Sequence, residues 1–87
     1  MRRIAVISII LESPAETQAE FNECVSNFKG IIKGRMGIPF DDIRVGVISL
    51  VVVSELDEIN AFTGRLGRIA GCTVKTAVSK ESLRVEL

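Results

Sequence analysis

Arg3 to Glu12 reads RIAVISIILE, a run so rich in β-branched residues that it predicts a buried strand. Both of its faces are apolar: Ile4, Val6 and Ile10 flank Ser8 on one side, and Ala5, Ile7, Ile9 and Leu11 line the other. The pattern changes at Ser13-Pro14-Ala15-Glu16. Ser13 is placed to cap a helix, Pro14 suits its first position, and Glu16 is spaced to close a capping box. Phe21, Cys24, Val25 and Phe28 then recur at helical spacing and define an inner face. Glu16, Glu20 and Glu23 form an acidic stripe that reads as a solvated face. Gly30 is the expected helix stop.

Ile31 to Ile38, IIKGRMGI, alternates with period two. This predicts a half-exposed strand with Ile32, Gly34, Met36 and Ile38 on one side and Lys33, Arg35 and Gly37 on the other. Pro39 to Asp42 reads as a turn. Arg44 to Val53, RVGVISLVVV, is a second buried strand, so the two form an antiparallel hairpin. Ser54 is the expected cap of a second helix, with acids in its first turn where the helix dipole favours them. Leu56, Ile59, Phe62, Thr63, Leu66, Ile69 and Ala70 make its inner face, and Gly71 its stop. Cys72 to Ser79 reads as a final strand. The order β-α-β-β-α-β is the ferredoxin-like, α+β pattern: an antiparallel four-stranded sheet with two helices on one face. Residues 1–80 form this single domain. Residues 81–87 are a C-terminal extension, either a short fifth strand or a tail.

Two helices cover one face of such a sheet. The central strands are apolar on both faces, so the second face needs a cover too. A second copy of the chain is the expected cover, giving a homodimer or a dimer of dimers. Lys33, Arg35 and Lys75 on the edge strands discourage open-ended pairing.

Composition narrows the chemistry. The 87 residues carry 11 Lys and Arg against 11 Asp and Glu, so the formal charge is zero and a direct nucleic-acid binder is not expected. The chain has no His, Trp or Tyr, which excludes His-dependent triads, imidazole acid–base work and imidazole metal sites. Cys24 and Cys72 make no C-x-x-C motif and read as small buried apolar side chains. Ile4 to Leu11 follows Arg2-Arg3, but no A-x-A-like cleavage site follows, and no uncharged run reaches the ~18 residues of a membrane helix. A soluble, cytoplasmic protein is expected. The aromatics Phe21, Phe28, Phe40 and Phe62 fall outside the expected central strands, so base stacking on the sheet is not expected. The loop Glu12-Ser13-Pro14 holds neither a thiol pair nor a glycine-rich, basic anion cradle, which removes the metallochaperone and acylphosphatase readings. No catalytic residue, metal or cofactor is expected.

What remains is glycine and arginine. Gly34-Arg35-Met36-Gly37 brackets an arginine with glycines inside a strand, and Thr63-Gly64-Arg65-Leu66-Gly67 puts two glycines in a helix. Such glycines allow close packing of helix on sheet or helix on helix. Alternatively Arg35, Asn60, Thr63 and Arg65, with Gly34, Gly37, Gly64 and Gly67, border a shallow subunit cleft for a small anion.

Four blocks carry a resemblance: Ile32 to Pro39 (IKGRMGIP), Gly46 to Val52 (GVISLVV), Asp57 to Gly67 (DEINAFTGRLG) and Gly71 to Lys80 (GCTVKTAVSK). In order and spacing they resemble the iron-only hydrogenase system regulator family, over nearly the whole chain from about Arg3 to Lys80. The resemblance implies a small single-domain ferredoxin-like protein, similar to ACT domains and to the C-terminal domain of the nickel-responsive repressor. It also implies assembly through the sheet and a role around the expression or maturation of iron-only hydrogenase. Without His, nickel sensing does not carry over. Without a glycine after the first strand, neither does the amino-acid site of many ACT domains. The implied function is a non-enzymatic, oligomeric regulatory module that binds a small effector and acts through a partner protein. The alternative is a ligand-free interaction scaffold.

Overall fold

The computed structural model describes residues 2–80, so the extension at 81–87 lies outside the described residues. Strands β1 (Arg3–Glu12), β2 (Ile32–Phe40), β3 (Val45–Ser54) and β4 (Cys72–Val78) alternate with helices α1 (Pro14–Asn27) and α2 (Leu56–Gly67) in the order β-α-β-β-α-β. The four strands form one sheet in the order β2-β3-β1-β4, and every neighbouring pair is antiparallel. This is the ferredoxin-like fold.

The two most apolar strands take the two central places. In β1, Ala5, Ile7, Ile9 and Leu11 point to the helices and are buried. They pair across to Val52, Leu50, Ile48 and Gly46 of β3. From the helix side, α1 contributes Phe21, Cys24 and Val25, and α2 contributes Ile59, Phe62 and Leu66. Each fully buried side chain of this size is worth roughly 1.5–3 kcal/mol. Phe28 stacks on Phe62 with ring centroids 4.7 Å apart, which joins the two helices over the sheet.

Several boundaries differ from the sequence expectation. A β-bulge at Lys33 shifts the register of β2: Ile32 pairs with Val52, yet Gly34 pairs with Val51. Ile32 therefore faces the helices and packs on the core, on the opposite side from Met36 and Ile38. One inserted residue reverses every later side chain, and a period-two count does not register it. Pro39 and Phe40 belong to β2 rather than to the turn, because an edge strand tolerates a residue without an N–H. Helix α1 stops at Asn27, where Phe28 leaves helical geometry, and Gly30 falls in the 3₁₀ turn Lys29–Ile31. Helix α2 ends at Gly67 and is capped at Arg68, with Ala70 exposed.

The caps differ as well. Ser13 occupies the N-cap position, but its left-handed backbone, φ 51°, leaves its side chain making no cap bond. The Ser13 carbonyl instead accepts the Glu16 and Thr17 N–H groups at 2.9 and 3.3 Å. Ser54 remains paired in the sheet, so Glu55 takes the N-cap position. The Ser54 hydroxyl, buried beneath the start of α2, donates to the Glu58 carboxylate.

At one end of the sheet the loops are tied together. The Glu12 N–H donates to the Gly71 carbonyl at 2.8 Å, and the Ser13 N–H donates to the Arg44 carbonyl at 3.0 Å. Gly71 has φ 79°, and a Cβ there would sit 3.0 Å from the Glu12 carbonyl oxygen. Gly71→Ala therefore combines a left-handed alanine with a backbone clash and lowers stability by at least ~1–2 kcal/mol. Urea denaturation checks this, and an unchanged midpoint would contradict it.

Candidate functional site

A cleft of about 670 Å³ opens between the first two turns of α1 and the β2–β3 hairpin. Its volume falls in the range that holds small organic molecules, roughly 300–1,000 Å³. Leu11, Phe21 and Ile48 supply its apolar floor. Gly37 faces the helices from the edge strand, paired with Ile48. A Cβ at Gly37 would lie 4.0 Å from Ile48 Cγ1, an ordinary contact. The glycine thus leaves space for the cleft and avoids no clash.

Two arginines line the cleft. The Arg35 guanidinium lies over the Phe21 ring, 5.8 Å from its centroid, so an aromatic face braces it. Arg44 follows the 3₁₀ turn Asp41–Ile43 with φ 53°. Glu16 and Asp41 also line the cleft, as do the amides of Gln18 and Asn22. Among the described residues, Ser13 and Arg44 are the only non-glycine residues with positive φ. Both line this cleft, and they are hydrogen-bonded to each other.

Of the residues singled out in the sequence, Arg35 and Gly37 line this cleft. Gly34 lies on the same strand but on the open face, opposite Val51. Asn60, Thr63, Gly64, Arg65 and Gly67 lie on α2 and are not among the lining residues. The structure therefore does not gather the two glycine–arginine motifs around one cleft within a subunit. Arg65 lies against the Phe28 ring, 5.5 Å from its centroid, at the helix–helix contact. The Thr63 hydroxyl donates back to the Asn60 carbonyl at 3.3 Å. Among the described residues, a Cβ at Gly64 or Gly67 would meet nothing within 4 Å, so close packing among them does not account for these glycines. Phe21, Arg44, Gln18 and Asn22 were not singled out as site residues. Phe21 reads as core from its spacing, and a left-handed arginine carries no composition signal.

Among the described residues, no element covers the second face of the sheet. Met36, Ile38 and Phe40 of β2, Val47 and Val51 of β3, and Val6 and Ile10 of β1 are all exposed there. Ser8 and Ser49 pair at its centre, and Lys75 lies beside Ser8 on β4. Ile38, Phe40 and Val47 also line the cleft, which reaches the open face around the β2 edge.

Cys24 and Cys72 are free thiols, one buried and one half-buried. Burial pushes both above the usual thiol range; nearby Arg65 partly opposes this at Cys24. Among the described residues no cluster of three His, Cys, Asp or Glu side chains could hold a metal ion. Among the same residues, no helix is long and apolar enough to cross a membrane.

The fold defines a class: small ferredoxin-like domains with one helix-covered sheet face and one open face. Within it, residues 3–76 match the model of the family described as "TM1266-like: Iron-only hydrogenase system regulator, putative", and the chain belongs to that family. It is similar to a solved structure, that of the uncharacterized protein TM1266 from Thermotoga maritima. The two share 32% identity over 92% of this chain and 100% of that one, with a TM-score of 0.87. No curated protein matches.

Two outcomes follow from the local geometry. Gly64 lies inside α2 with open space over it, so Gly64→Ala raises stability by roughly 0.5–1 kcal/mol, read as a higher thermal midpoint. A lower midpoint would show that the glycine is packed after all. The thiols titrate above their ordinary value of 9.0, because the fold disfavours the thiolate. Their contribution to stability is intact below that value and is lost as pH rises through the folded values. Iodoacetamide at neutral pH accordingly modifies Cys24 far more slowly in the native chain than in urea, as mass spectrometry would record.

Proposed function

We propose that this protein is a non-enzymatic, ACT-like regulatory module of the iron-only hydrogenase system, working in the cytoplasm as a homo-oligomer. A second copy covers the open sheet face, as a homodimer or within a dimer of dimers. A small effector enters the cleft beside α1, and its occupancy is passed to a partner protein rather than directly to nucleic acid. Arg35 and Gly37 are the effector residues of this reading, with Arg44 added from the structure.

One observation carries it. Ile38 and Phe40 belong both to the wall of the cleft and to the apolar face that needs a cover. An effector that shifts the β2 edge therefore also shifts the surface on which subunits meet. That gives a ligand differential contacts in two assembly states, as regulation by a small molecule requires. The apolar positions of the open face, among them Val6, Ile10, Val47 and Val51, support burial against another apolar surface. An identical partner closes the assembly by two-fold symmetry.

A ligand-free interaction scaffold is the second reading. The uncovered backbone at Gly64 and Gly67 favours it, since a partner protein can approach closely there.

Native mass spectrometry of freshly purified protein tests the assembly. A dimer or tetramer is expected, and the double substitution Val6→Lys and Val51→Lys, which places charges at the centre of the open face, converts it to folded monomers. A monomeric wild-type protein would overturn the reading.

A further inference from the structure

We propose that the cleft between α1 and the β2–β3 hairpin selects a small organic monocarboxylate with a compact apolar body. This deepens the effector reading above and rests on it.

The shape and polarity of the cleft set the ligand's body. Leu11, Phe21 and Ile48 form a floor that reward only apolar surface, and Gly37 keeps the space above it empty. The charges set its head group. Arg35 offers a planar fork that matches a carboxylate in two parallel hydrogen bonds. Its position over the Phe21 ring limits the freedom it loses on binding. Among the described residues, no carboxylate lies within ion-pair distance of Arg35 or Arg44.

The acids decide between kinds of anion. Glu16 and Asp41 line the same cleft and balance the two arginines. A phosphate monoester or nucleotide would bring two or more negative charges into that balanced surround and meet repulsion. A single carboxylate matches the arginine fork without that excess. The Gln18 and Asn22 amides are available to a second, neutral polar group on the ligand.

The backbone points to the same place independently. Left-handed geometry costs a residue other than glycine roughly 1–2 kcal/mol. Ser13 and Arg44 both carry it and are held together by the bond from the Ser13 N–H to the Arg44 carbonyl. Strain of this kind persists only where the surrounding structure enforces it and clusters at ligand sites, and here both residues line the cleft.

The test is a set of amide-shift titrations of the full chain by nuclear magnetic resonance. The probes are 3-phenylpropionate, its neutral amide 3-phenylpropionamide, and phenyl phosphate. Saturable shifts are expected at Phe21, Gly37 and Ile48, with the carboxylate binding at least about tenfold tighter than the neutral amide, as for a charge-assisted bond. Phenyl phosphate binds more weakly than the carboxylate. Arg35→Gln abolishes the preference for the carboxylate while the neutral amide still binds. Gly37→Val fills the floor and removes binding of both, with the thermal midpoint retained; Gly37→Ala weakens it with less added bulk. Equal binding of carboxylate and amide, or tighter binding of phenyl phosphate, would overturn the ligand class and leave the cleft as a binding site. Shifts confined to Val6, Ile10 and Val51, or none at all, would overturn the cleft itself and with it the effector reading.

Discussion

Two helices are too few for this sheet. Its central strands, β1 and β3, are apolar on both faces, and α1 and α2 pack on only one of them. That mismatch between apolar surface and available cover shapes everything else. On the covered face, Ile7, Ile9, Leu50 and Val52 are sealed beneath Phe21, Ile59, Phe62 and Leu66, and the chain acquires its core there. On the open face, Val6, Ile10, Val47 and Val51 stand in solvent. Among the described residues there is no third layer to place there, and a domain this small has a large surface relative to its volume.

The cleft arises from the same geometry at a smaller scale. The hairpin end of β2 and β3 lies level with the start of α1, where Ser13 bonds Arg44, and the edge strand is exposed from Arg35 to Phe40. A larger residue at Gly37 would fill the gap from below, and the glycine keeps it open. Arg35, two residues earlier on the same strand, projects to the same side and is caught by the Phe21 ring. Since β2 is an edge strand, its two sides meet around one exposed border, and the cleft and the open face become neighbours through Ile38 and Phe40. The cleft and the exposed apolar face thus share a single strand.

Membership of the iron-only hydrogenase system regulator family agrees with this architecture. The domain carries no imidazole, and its thiols are held above their usual range by burial. The polar lining of its cleft includes guanidinium, amide and carboxylate groups. Such groups recognise and position a molecule through charge and hydrogen bonds.

The element order, the two-faced character of β1 and β3, and the inner faces of both helices were legible in the sequence, because each depends on the identity of residues within a few positions. A run such as RIAVISIILE is strand-like wherever it lies, and Phe21, Cys24 and Val25 share a helix face by spacing alone. Arg35 and Gly37 could be singled out for the same local reason, as a charged residue and a glycine inside a strand. The rest depended on contacts between distant segments. The bulge at Lys33, which sends Ile32 to the core and Met36 to the open face, appears only when β2 is aligned against β3. The left-handed backbone of Ser13 and Arg44 is held by a bond across 31 positions of chain, between residues that ordinarily avoid it. The separation of Arg65 from Arg35, one against Phe28 and the other against Phe21, was settled by how the two helices share the sheet. Local pattern determined which elements form and which faces are apolar; packing between elements decided which side chains meet, because register and strain are properties of pairs of segments and not of either one.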